Sequence, residues 1–234
     1  MQEKKIKTYF NWSSGKDSAL ALYYLLQDKQ YSVDCLLTSI NSHYNRVSMH
    51  GIRKELLQQQ IEAIDLPSKF IELPAEPSNS EYENLLKEKV NELLAEKYEC
   101  AAFGDIFLED LRKYREDQLT PYGIKSVFPL WKKDTKELLT QFLSLGFQTI
   151  TVCVDGSKLD QSFVGRVIDE SFIADLPEDI DICGENGEFH TFCFDGPYFK
   201  QPVDFTKGEI VYREYDNNGI KSGFWFCDLL PINQ

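Results

Sequence analysis

The segment at residues 12–18, with the sequence WSSGKDS, has the residue types of a phosphate-binding loop. It lies between an apolar stretch and a helical pattern, and a helix N-terminus offers unpaired N–H donors and a partial positive charge to an anion. Gly15 lets the backbone turn sharply and approach a ligand, and Lys16 adds a cation. Asp17 would repel a bare phosphate, so it indicates a bridging Mg²⁺. The segment therefore predicts a phosphate site with Asp17 as a metal ligand.

This segment has two other possible interpretations, a Walker A loop and an ordinary helix cap. It is not a Walker A loop, because Gly15 and Lys16 are followed by Asp17 rather than Ser or Thr, and position 10 is Phe. An ordinary capped helix, with Ser14 or Asp17 near the cap, is the structural alternative. We expect Lys16 and Asp17 to lie at an exposed strand–helix junction, where either can be substituted without loss of the fold.

A second candidate site is formed by Gly104 and Asp105, directly after a strand-like stretch at residues 100–103. Asp105 is placed to act as a second magnesium ligand or to orient a substrate. A helix cap for the residues from Ile106 onward explains Asp105 equally well. Both interpretations stay open from the sequence.

Three charged residues follow Asp105 at helical spacing: Glu109, Arg112 and Glu116. This spacing places them on one face of a helix, which could point toward a ligand cleft. Ion pairs within the helix are the alternative, because residues three and four apart are neighbours on a helix surface.

A third polar segment, residues 184–191, has the sequence GENGEFHT. Its two glycines favour a tight turn that presents the polar side chains between them. His190, one of three histidines in the chain, could act as a general base or bind a substrate through a hydrogen bond. The alternative is a turn that enters a strand at residues 189–194, with a structural histidine.

The elements around these segments alternate between strand and helix in the first half of the chain. Strands are predicted at residues 6–12, 31–40, 69–73 and 100–103, and helices at 17–27, 51–64 and 79–97. This alternation is typical of βαβ units and of a doubly wound parallel sheet. In such sheets ligands bind beyond the carboxyl ends of the strands, where the first two candidate sites lie.

The pattern changes after residues 128–130. One more helix (135–145) and strand (149–155) precede a β-rich end, in which strands at 209–215 and 223–228 flank the hairpin signal DNNG at 216–219. We therefore predict two domains, residues 1–130 and a smaller α+β domain at residues 131–234.

Composition narrows the class of protein. The net charge is −13, and the densest basic stretch, residues 111–115, is short and neighboured by acids. A tRNA or DNA partner is therefore disfavoured, although an acidic protein can hide a basic groove. No apolar run is long enough for a membrane span, and no signal peptide is visible, so we expect a cytoplasmic protein. Six scattered cysteines without a C-x-x-C pair argue against zinc and dithiol chemistry, and fit small buried side chains.

The loop sequence SSGKDS resembles the pyrophosphate loop SGGxDS of the N-type ATP pyrophosphatases. Ser14 stands where that pattern has its first glycine, a change that would alter how closely the backbone wraps the pyrophosphate. Further stretches are similar to the diphthine–ammonia ligases and their relatives, in the expected order and across both halves of the chain. These stretches are residues 103–112, 128–131, 184–191 and 195–197. GENGEFHT is the most specific of them.

The resemblance implies a HUP-type domain with a parallel five-stranded sheet and a C-terminal domain that closes over the cleft. It also implies that ATP is cleaved to AMP and pyrophosphate through an acyl-adenylate, which ammonia then attacks to give an amide. The implied cofactors are ATP and Mg²⁺, and the implied partners are ammonium and an acceptor carboxylate, either diphthine on a protein or a small metabolite. Whether the protein forms a homodimer stays an open question at this point.

The residue patterns described above and the resemblance together predict roles for individual residues. The predicted catalytic residues are Lys16, Asp17, Asp105, Glu188 and His190. The predicted ATP-binding residues are Trp12, Ser13, Ser14, Gly15, Lys16, Asp17, Ser18 and Gly104. The predicted substrate-binding residues are His50, Glu109, Arg112, Gly184, Glu185, Asn186, Gly187 and Thr191. His50 is included because it matches a family position.

Two other functions compete with the ligase. A tRNA-modifying ATP pyrophosphatase would normally need catalytic cysteines or a basic surface that binds RNA. This chain is acidic and has no C-x-x-C, so this function is disfavoured. A nucleotide-binding sensor on the same fold would not need the second polar segment at residues 184–191. No glutaminase segment is visible, so the nitrogen would come from free ammonium or from another protein.

Overall fold

A computed structural model describes residues 4–48, 50–217 and 220–232. The strands are β1 (Ile6–Asn11), β2 (Tyr31–Asn41), β3 (Arg46–Val47), β4 (Ser68–Leu73), β5 (Cys100–Ala102), β6 (Lys125–Val127), β7 (Gln148–Asp155), β8 (Phe189–Asp195), β9 (Phe205–Asn217) and β10 (Ile220–Pro231). The helices are α1 (Lys16–Gln27), α2 (Lys54–Ile64), α3 (Asn79–Ala95), α4 (Glu109–Leu119), α5 (Thr135–Ser144) and α6 (Glu170–Asp175). Two 3₁₀ turns lie at Thr120–Tyr122 and Gln161–Phe163.

Five parallel strands form the first sheet, in the order β4-β2-β1-β5-β6. The two-residue strand β3 pairs antiparallel with the C-terminal end of β2. The predicted parallel five-stranded sheet is confirmed. Because β1 and β5 are neighbours, their carboxyl ends bring the loop at residues 12–18 beside Gly104 and Asp105.

Helices cover both faces of this sheet. Tyr9 of β1 belongs to a cluster that includes Val90 and Leu93 of α3, whereas the next residue, Phe10, packs with Leu22 of α1 and residues of α2. Successive side chains of a strand point to opposite faces of the sheet, so β1 contributes residues to the hydrophobic cluster on each face. The predicted doubly wound architecture is confirmed.

The second sheet is antiparallel, with strand order β8-β7-β10-β9, and it is accompanied by α5 and α6. A C-terminal α+β arrangement was predicted and is confirmed. The strands β9 and β10 are longer than expected, and they pair from Asn217 and Ile220 outward. The predicted hairpin turn falls on residues 218 and 219, which lie outside the described residues.

One hydrophobic cluster runs through both halves of the chain. It contains Phe10 and Leu22 from the first half together with Phe142, Ile150 and Phe192 from the second. The division at residues 130 and 131 stays a prediction. The six cysteines are all buried and free, as their apolar surroundings indicated. Within the described ranges, the helices are too short or too polar to cross a membrane.

Candidate functional site

The loop between β1 and α1 is held by its own backbone and hydroxyl groups. Ser14 has a φ of 71°, and α1 starts two residues later with Gly15 as its N-cap. The hydroxyls of Ser13 and Ser18 lie 2.7 Å apart and form a hydrogen bond across the loop. The left-handed φ of Ser14 explains why the related loop pattern has a glycine there, because only glycine adopts that conformation freely.

Gly104 allows α1 to approach the end of β5. A Cβ atom at this position would lie 2.9 Å from the Ser18 backbone nitrogen and 3.1 Å from the Asp17 carbonyl carbon. Real Cβ atoms do not tolerate such a contact with backbone. Gly104 therefore positions the first turn of α1 by its lack of a side chain, which is a role that the sequence alone did not specify.

Lys16 and Asp17 form an ion pair inside the loop. Lys16 Nζ lies 2.7 Å from both carboxylate oxygens of Asp17. The expectation of an exposed junction was wrong for Lys16, whose side chain is only 3% exposed, while Asp17 is 32% exposed. The C-terminal half covers this end of the loop. Burial alone would lower the pKa of Lys16, yet the Asp17 carboxylate raises it above its usual value, so the ammonium is charged.

The predicted third segment lies directly on this loop. The backbone N–H of Lys16 donates a hydrogen bond to Thr191 Oγ1 at 3.0 Å, and the N–H of Cys193 donates to the Ser14 carbonyl at 2.9 Å. A Cβ on Gly15 would lie 2.9 Å from His50 Cε1 and 3.2 Å from the Thr191 carbonyl oxygen. Gly15 is thus needed for the contact between the two halves as well as for the turn.

Glu185 reaches from the same segment to the end of β5. Its Oε1 accepts hydrogen bonds from the backbone N–H groups of Ile106 at 2.7 Å and Phe107 at 3.4 Å. Burial, together with repulsion from Asp17, raises the pKa of Glu185 to about 7. This carboxyl group therefore changes charge near neutral pH, within the same charge cluster as Lys16 and Asp17.

Asp105 pairs with Arg115 of α4. Arg115 Nε lies 2.9 Å from Asp105 Oδ2, and a guanidinium N–H donates to Oδ1 at 3.0 Å. The Asp105 side chain is 8% exposed. Helix α4 starts only at Glu109, so Asp105 does not cap a helix from Ile106 onward. Its charge is balanced by an arginine that the sequence analysis did not single out.

His50 and His190 lie against each other beside the loop. Their ring centroids are 4.8 Å apart, and His50 Nδ1 lies 3.0 Å from the Thr191 carbonyl oxygen. Burial, with the neighbouring His190, lowers the pKa of His50 to about 3. Burial and the charge of Lys16 lower the pKa of His190 to about 4. Both imidazoles are therefore neutral and only weakly basic at pH 7, and each can accept a hydrogen bond at one ring nitrogen.

The turn at residues 184–188 is built as predicted, with Gly184 and Gly187 at φ values of 70° and 80°. The ring of Phe189 fills the space in which a Gly184 side chain would lie. Glu188 is 2% exposed, and its Oε1 accepts hydrogen bonds from the Asn186 side chain at 3.1 Å and the Asp181 N–H at 3.4 Å. Glu188 thus faces the interior of its own turn.

The predicted helical face of α4 is engaged in surface contacts. Glu109 pairs with Lys132 at 2.7 Å, and Arg112 pairs with Glu116 at 2.8 Å. The Arg112 guanidinium also lies 4.6 Å from the centroid of the Trp131 ring. The Arg112–Glu116 pair is an ion pair within the helix, which was the alternative to a substrate role, whereas Glu109 pairs with a residue outside α4.

Sequence reasoning missed Gln60, a fully buried residue of α2 that contacts the loop. The Trp12 indole N–H donates to Gln60 Oε1 at 2.8 Å, and Gln60 Nε2 donates to the Ser14 carbonyl at 3.0 Å. A signal was present, because Gln60 falls on the helix face formed by the buried residues Leu56, Leu57, Ile61 and Ile64. A polar residue on an apolar helix face indicates a buried side chain that forms hydrogen bonds to other buried polar groups.

Residues that could bind Mg²⁺ are few. Among the residues with described positions, no group of three or more His, Cys, Asp or Glu side chains is arranged around one point. Asp17 combines a partly exposed carboxylate with a location at the first turn of α1. A Mg²⁺ ion here would fit only if other oxygens, such as those of a polyphosphate, completed its octahedral shell.

Comparison with known families matches both halves of the chain. Residues 6–126 match the Diphthamide synthase N-terminal domain, and residues 134–222 match the Diphthamide synthase C-terminal domain. The first match alone covers more than half of the 234 residues.

Curated relatives carry a related name. The chain is 28% identical to the diphthine–ammonia ligase of Bos taurus over 137 residues, which is 56% of this chain and 49% of that protein. The Homo sapiens diphthine–ammonia ligase is 28% identical over 138 residues, with the same coverage. The chain thus spans about half the length of these relatives.

A solved structure is also similar, the U34-tRNA thiolase NcsA from Methanococcus maripaludis with its [4Fe-4S] cluster. It is 16% identical, with a TM-score of 0.37, and the match covers 62% of this chain and 59% of that one. The family matches are independent of it. From the extent and order of those two matches, this chain belongs to the diphthine–ammonia ligase-like family of diphthamide synthase domains.

Proposed function

We propose that this protein is an ATP-dependent ligase that adenylates a carboxylate, releases pyrophosphate and converts the adenylate to an amide with ammonia. The observation that carries the proposal is the contact between the loop at residues 13–18 and the polar segment at 184–191. An adenylating ligase needs a pyrophosphate site and an acceptor site within the length of one adenylate. In this fold Lys16 and Thr191 are in direct contact.

The loop residues fit the adenylation step. Attack of a carboxylate on the α-phosphate forms the mixed anhydride and breaks the bond to pyrophosphate, on which negative charge then develops. The charged Lys16 ammonium and the N-terminus of α1 can stabilise that charge. Asp17, at the partly exposed end of the ion pair, would bind the Mg²⁺ that neutralises the departing pyrophosphate.

The second half of the site fits the amidation step. Ammonia attacks the acyl carbon, the bond to AMP breaks, and the nitrogen must lose a proton. His190 is neutral at pH 7 because burial lowers its pKa to about 4, so it can accept a hydrogen bond from the incoming nitrogen. Glu185 can accept a proton, since its pKa is raised to about 7.

The acceptor is a carboxylate, either protein-borne diphthine or a small metabolite. The names of the bovine and human relatives support the first choice, but this chain spans about half of their length. Free ammonium is the proposed nitrogen donor.

Product analysis tests the proposal. Incubation with ATP, Mg²⁺, ammonium and an acceptor should release AMP and pyrophosphate in equal amounts. ADP and phosphate in the chromatogram would mean transfer of the γ-phosphoryl group instead, and the adenylation step would be wrong. Binding of ATP without any turnover, across a panel of carboxylates, would favour a nucleotide sensor.

A further inference from the structure

The amide side chain of Gln60 joins three segments that are far apart in sequence. Gln60 has none of its surface exposed. Its Oε1 accepts a hydrogen bond from Trp12 Nε1 at 2.8 Å, and its Nε2 donates to the carbonyl oxygens of Ser14 at 3.0 Å and Cys193 at 2.5 Å. Both amide protons and the amide oxygen are therefore used.

Packing alone does not explain a glutamine at this position. The neighbouring buried positions on this face of α2 are apolar, among them Leu56, Leu57 and Ile61. A leucine or methionine would fill the same space without the desolvation cost of a buried amide. The polar groups that Gln60 satisfies belong to the loop and to β8, so the reason for the glutamine lies there.

Ser14 is the loop residue that most needs support. Its φ of 71° is strained for a residue with a Cβ. Its carbonyl oxygen receives two hydrogen bonds, from Gln60 Nε2 at 3.0 Å and from the N–H of Cys193 at 2.9 Å. These donors hold the carbonyl toward the interior. A carbonyl oxygen turned toward a bound phosphate would repel it, so its orientation affects anion binding.

We propose that Gln60 is a positioning residue that fixes the loop at residues 13–18 in its phosphate-binding conformation and couples that loop to β8. The inference rests on the proposed function, because it assumes that the loop binds the pyrophosphate part of ATP. Gln60 itself acts through Ser14 and Trp12 and does not contact the nucleotide.

The substitution Gln60→Met tests this role, with Gln58→Met as its matched control. Methionine keeps the length of the side chain but removes the donors and the acceptor. Gln58 is an exposed residue of the same helix. The probes are ATP, inorganic pyrophosphate and adenosine, each titrated calorimetrically with Mg²⁺ present. We expect at least a tenfold loss of affinity for ATP and pyrophosphate in Gln60→Met, and less than a twofold change for adenosine.

The comparison of pyrophosphate affinity with adenosine affinity distinguishes a positioning role of Gln60 from a general destabilisation of the fold. An equal loss of affinity for adenosine and pyrophosphate, or pyrophosphate binding as tight as in Gln58→Met, would overturn the inference. If the unsubstituted protein binds neither ATP nor pyrophosphate, the proposed function fails and this inference fails with it. Wild-type binding with an unaffected Gln60→Met variant overturns the inference alone.

A second variant keeps the test open if Gln60→Met does not fold. In Gln60→Glu the ionised carboxylate can donate to neither carbonyl, whereas its protonated form regains one O–H donor. The ratio of the pyrophosphate Kd of this variant to that of the unsubstituted protein should therefore fall as the pH is lowered from about 8 to about 6. A ratio of one at both pH values would contradict the role.

Discussion

At the residue scale, the charge arrangement around Lys16 is the most telling feature of the site. The Lys16 side chain is only 3% exposed, and its ammonium is paired with the Asp17 carboxylate 2.7 Å away, as buried charges generally are. The same proximity raises the pKa of Lys16, so its charge is available to a phosphate at any physiological pH. Glu185 belongs to this group too, and its charge depends on pH near neutrality.

The substitution Lys16→Met should weaken ATP binding by at least tenfold. A charge-assisted hydrogen bond contributes about 1.5–3 kcal/mol, and tenfold corresponds to about 1.4 kcal/mol. Methionine fills the buried space that alanine would leave empty. Calorimetry with Mg²⁺ measures the affinity, and Lys113→Met, at an exposed lysine of α4, is the control. Equal ATP affinity in both variants would refute the assignment of the phosphate loop.

Glu185→Gln should change how stability depends on pH. The folded pKa of Glu185, about 7, lies above the ordinary value of 4.5, so the folded state binds a proton more tightly than the unfolded state. Stability of the unsubstituted protein therefore falls as the pH rises from about 4.5 to 7, and this loss persists above 7. A neutral glutamine avoids that loss.

The expected result for Glu185→Gln is a higher melting temperature at pH 8 and little difference at pH 5, measured by differential scanning calorimetry without nucleotide. A difference in melting temperature that is the same at both pH values would mean that Glu185 does not titrate near neutrality in the folded state.

At the element scale, the site lies where four parts of the fold meet. These are the carboxyl ends of β1 and β5, the first turn of α1 and the first residues of β8. The sequence predicted the strand ends and the helix because their apolar periodicity is local. It did not predict that Thr191 accepts a hydrogen bond from the Lys16 N–H, or that Gln60 reaches Cys193. Those contacts join residues 175 and 133 positions apart, and no local pattern records them.

Gly104→Ala should disturb the contact between β5 and α1. Its Cβ would lie 2.9 Å from the Ser18 nitrogen, and relief of such overlap costs about 1–3 kcal/mol. We expect both lower stability and weaker ATP binding, because the first turn of α1 must shift. Gly146→Ala is the control: its φ is 83° and its side-chain space is open, so strain is added away from the site. Weaker ATP binding in the control as well would show that destabilisation alone is responsible.

His190→Ala should separate nucleotide binding from amide formation. His190 belongs to β8 and lies against His50 beside the loop. We expect ATP affinity within twofold of normal and a loss of amide formation by more than tenfold. The attacking nitrogen becomes positively charged, and a hydrogen bond to a charged group contributes about 1.5–3 kcal/mol, where tenfold corresponds to about 1.4 kcal/mol. His43→Ala, at an exposed loop histidine, is the control. Full ligase activity in His190→Ala would make this histidine structural.

At the scale of the whole molecule, the two predicted halves share one hydrophobic cluster, in which Phe10 and Leu22 belong with Ile150 and Phe192. The fold class was predictable because strand–helix alternation and the final β-rich stretch are each visible in the sequence. The short strands β3 and β6 were not, since β3 has only two residues and β6 begins with Lys125 and Ser126, which interrupt any apolar run. The inward orientation of Glu188 was also beyond prediction, because it depends on how the turn packs.

Acceptor-dependent exchange of labelled pyrophosphate into ATP, with Mg²⁺ present and ammonium omitted, measures directly whether the protein forms an acyl-adenylate. Adenylation is reversible while the acyl-adenylate stays bound, so label should enter ATP only when the correct carboxylate is present, and Lys16→Met should reduce the exchange at least tenfold. Exchange at the same rate with and without each carboxylate tested, or amide formation accompanied by ADP, would show that the site built from both halves does not activate a carboxylate as its adenylate.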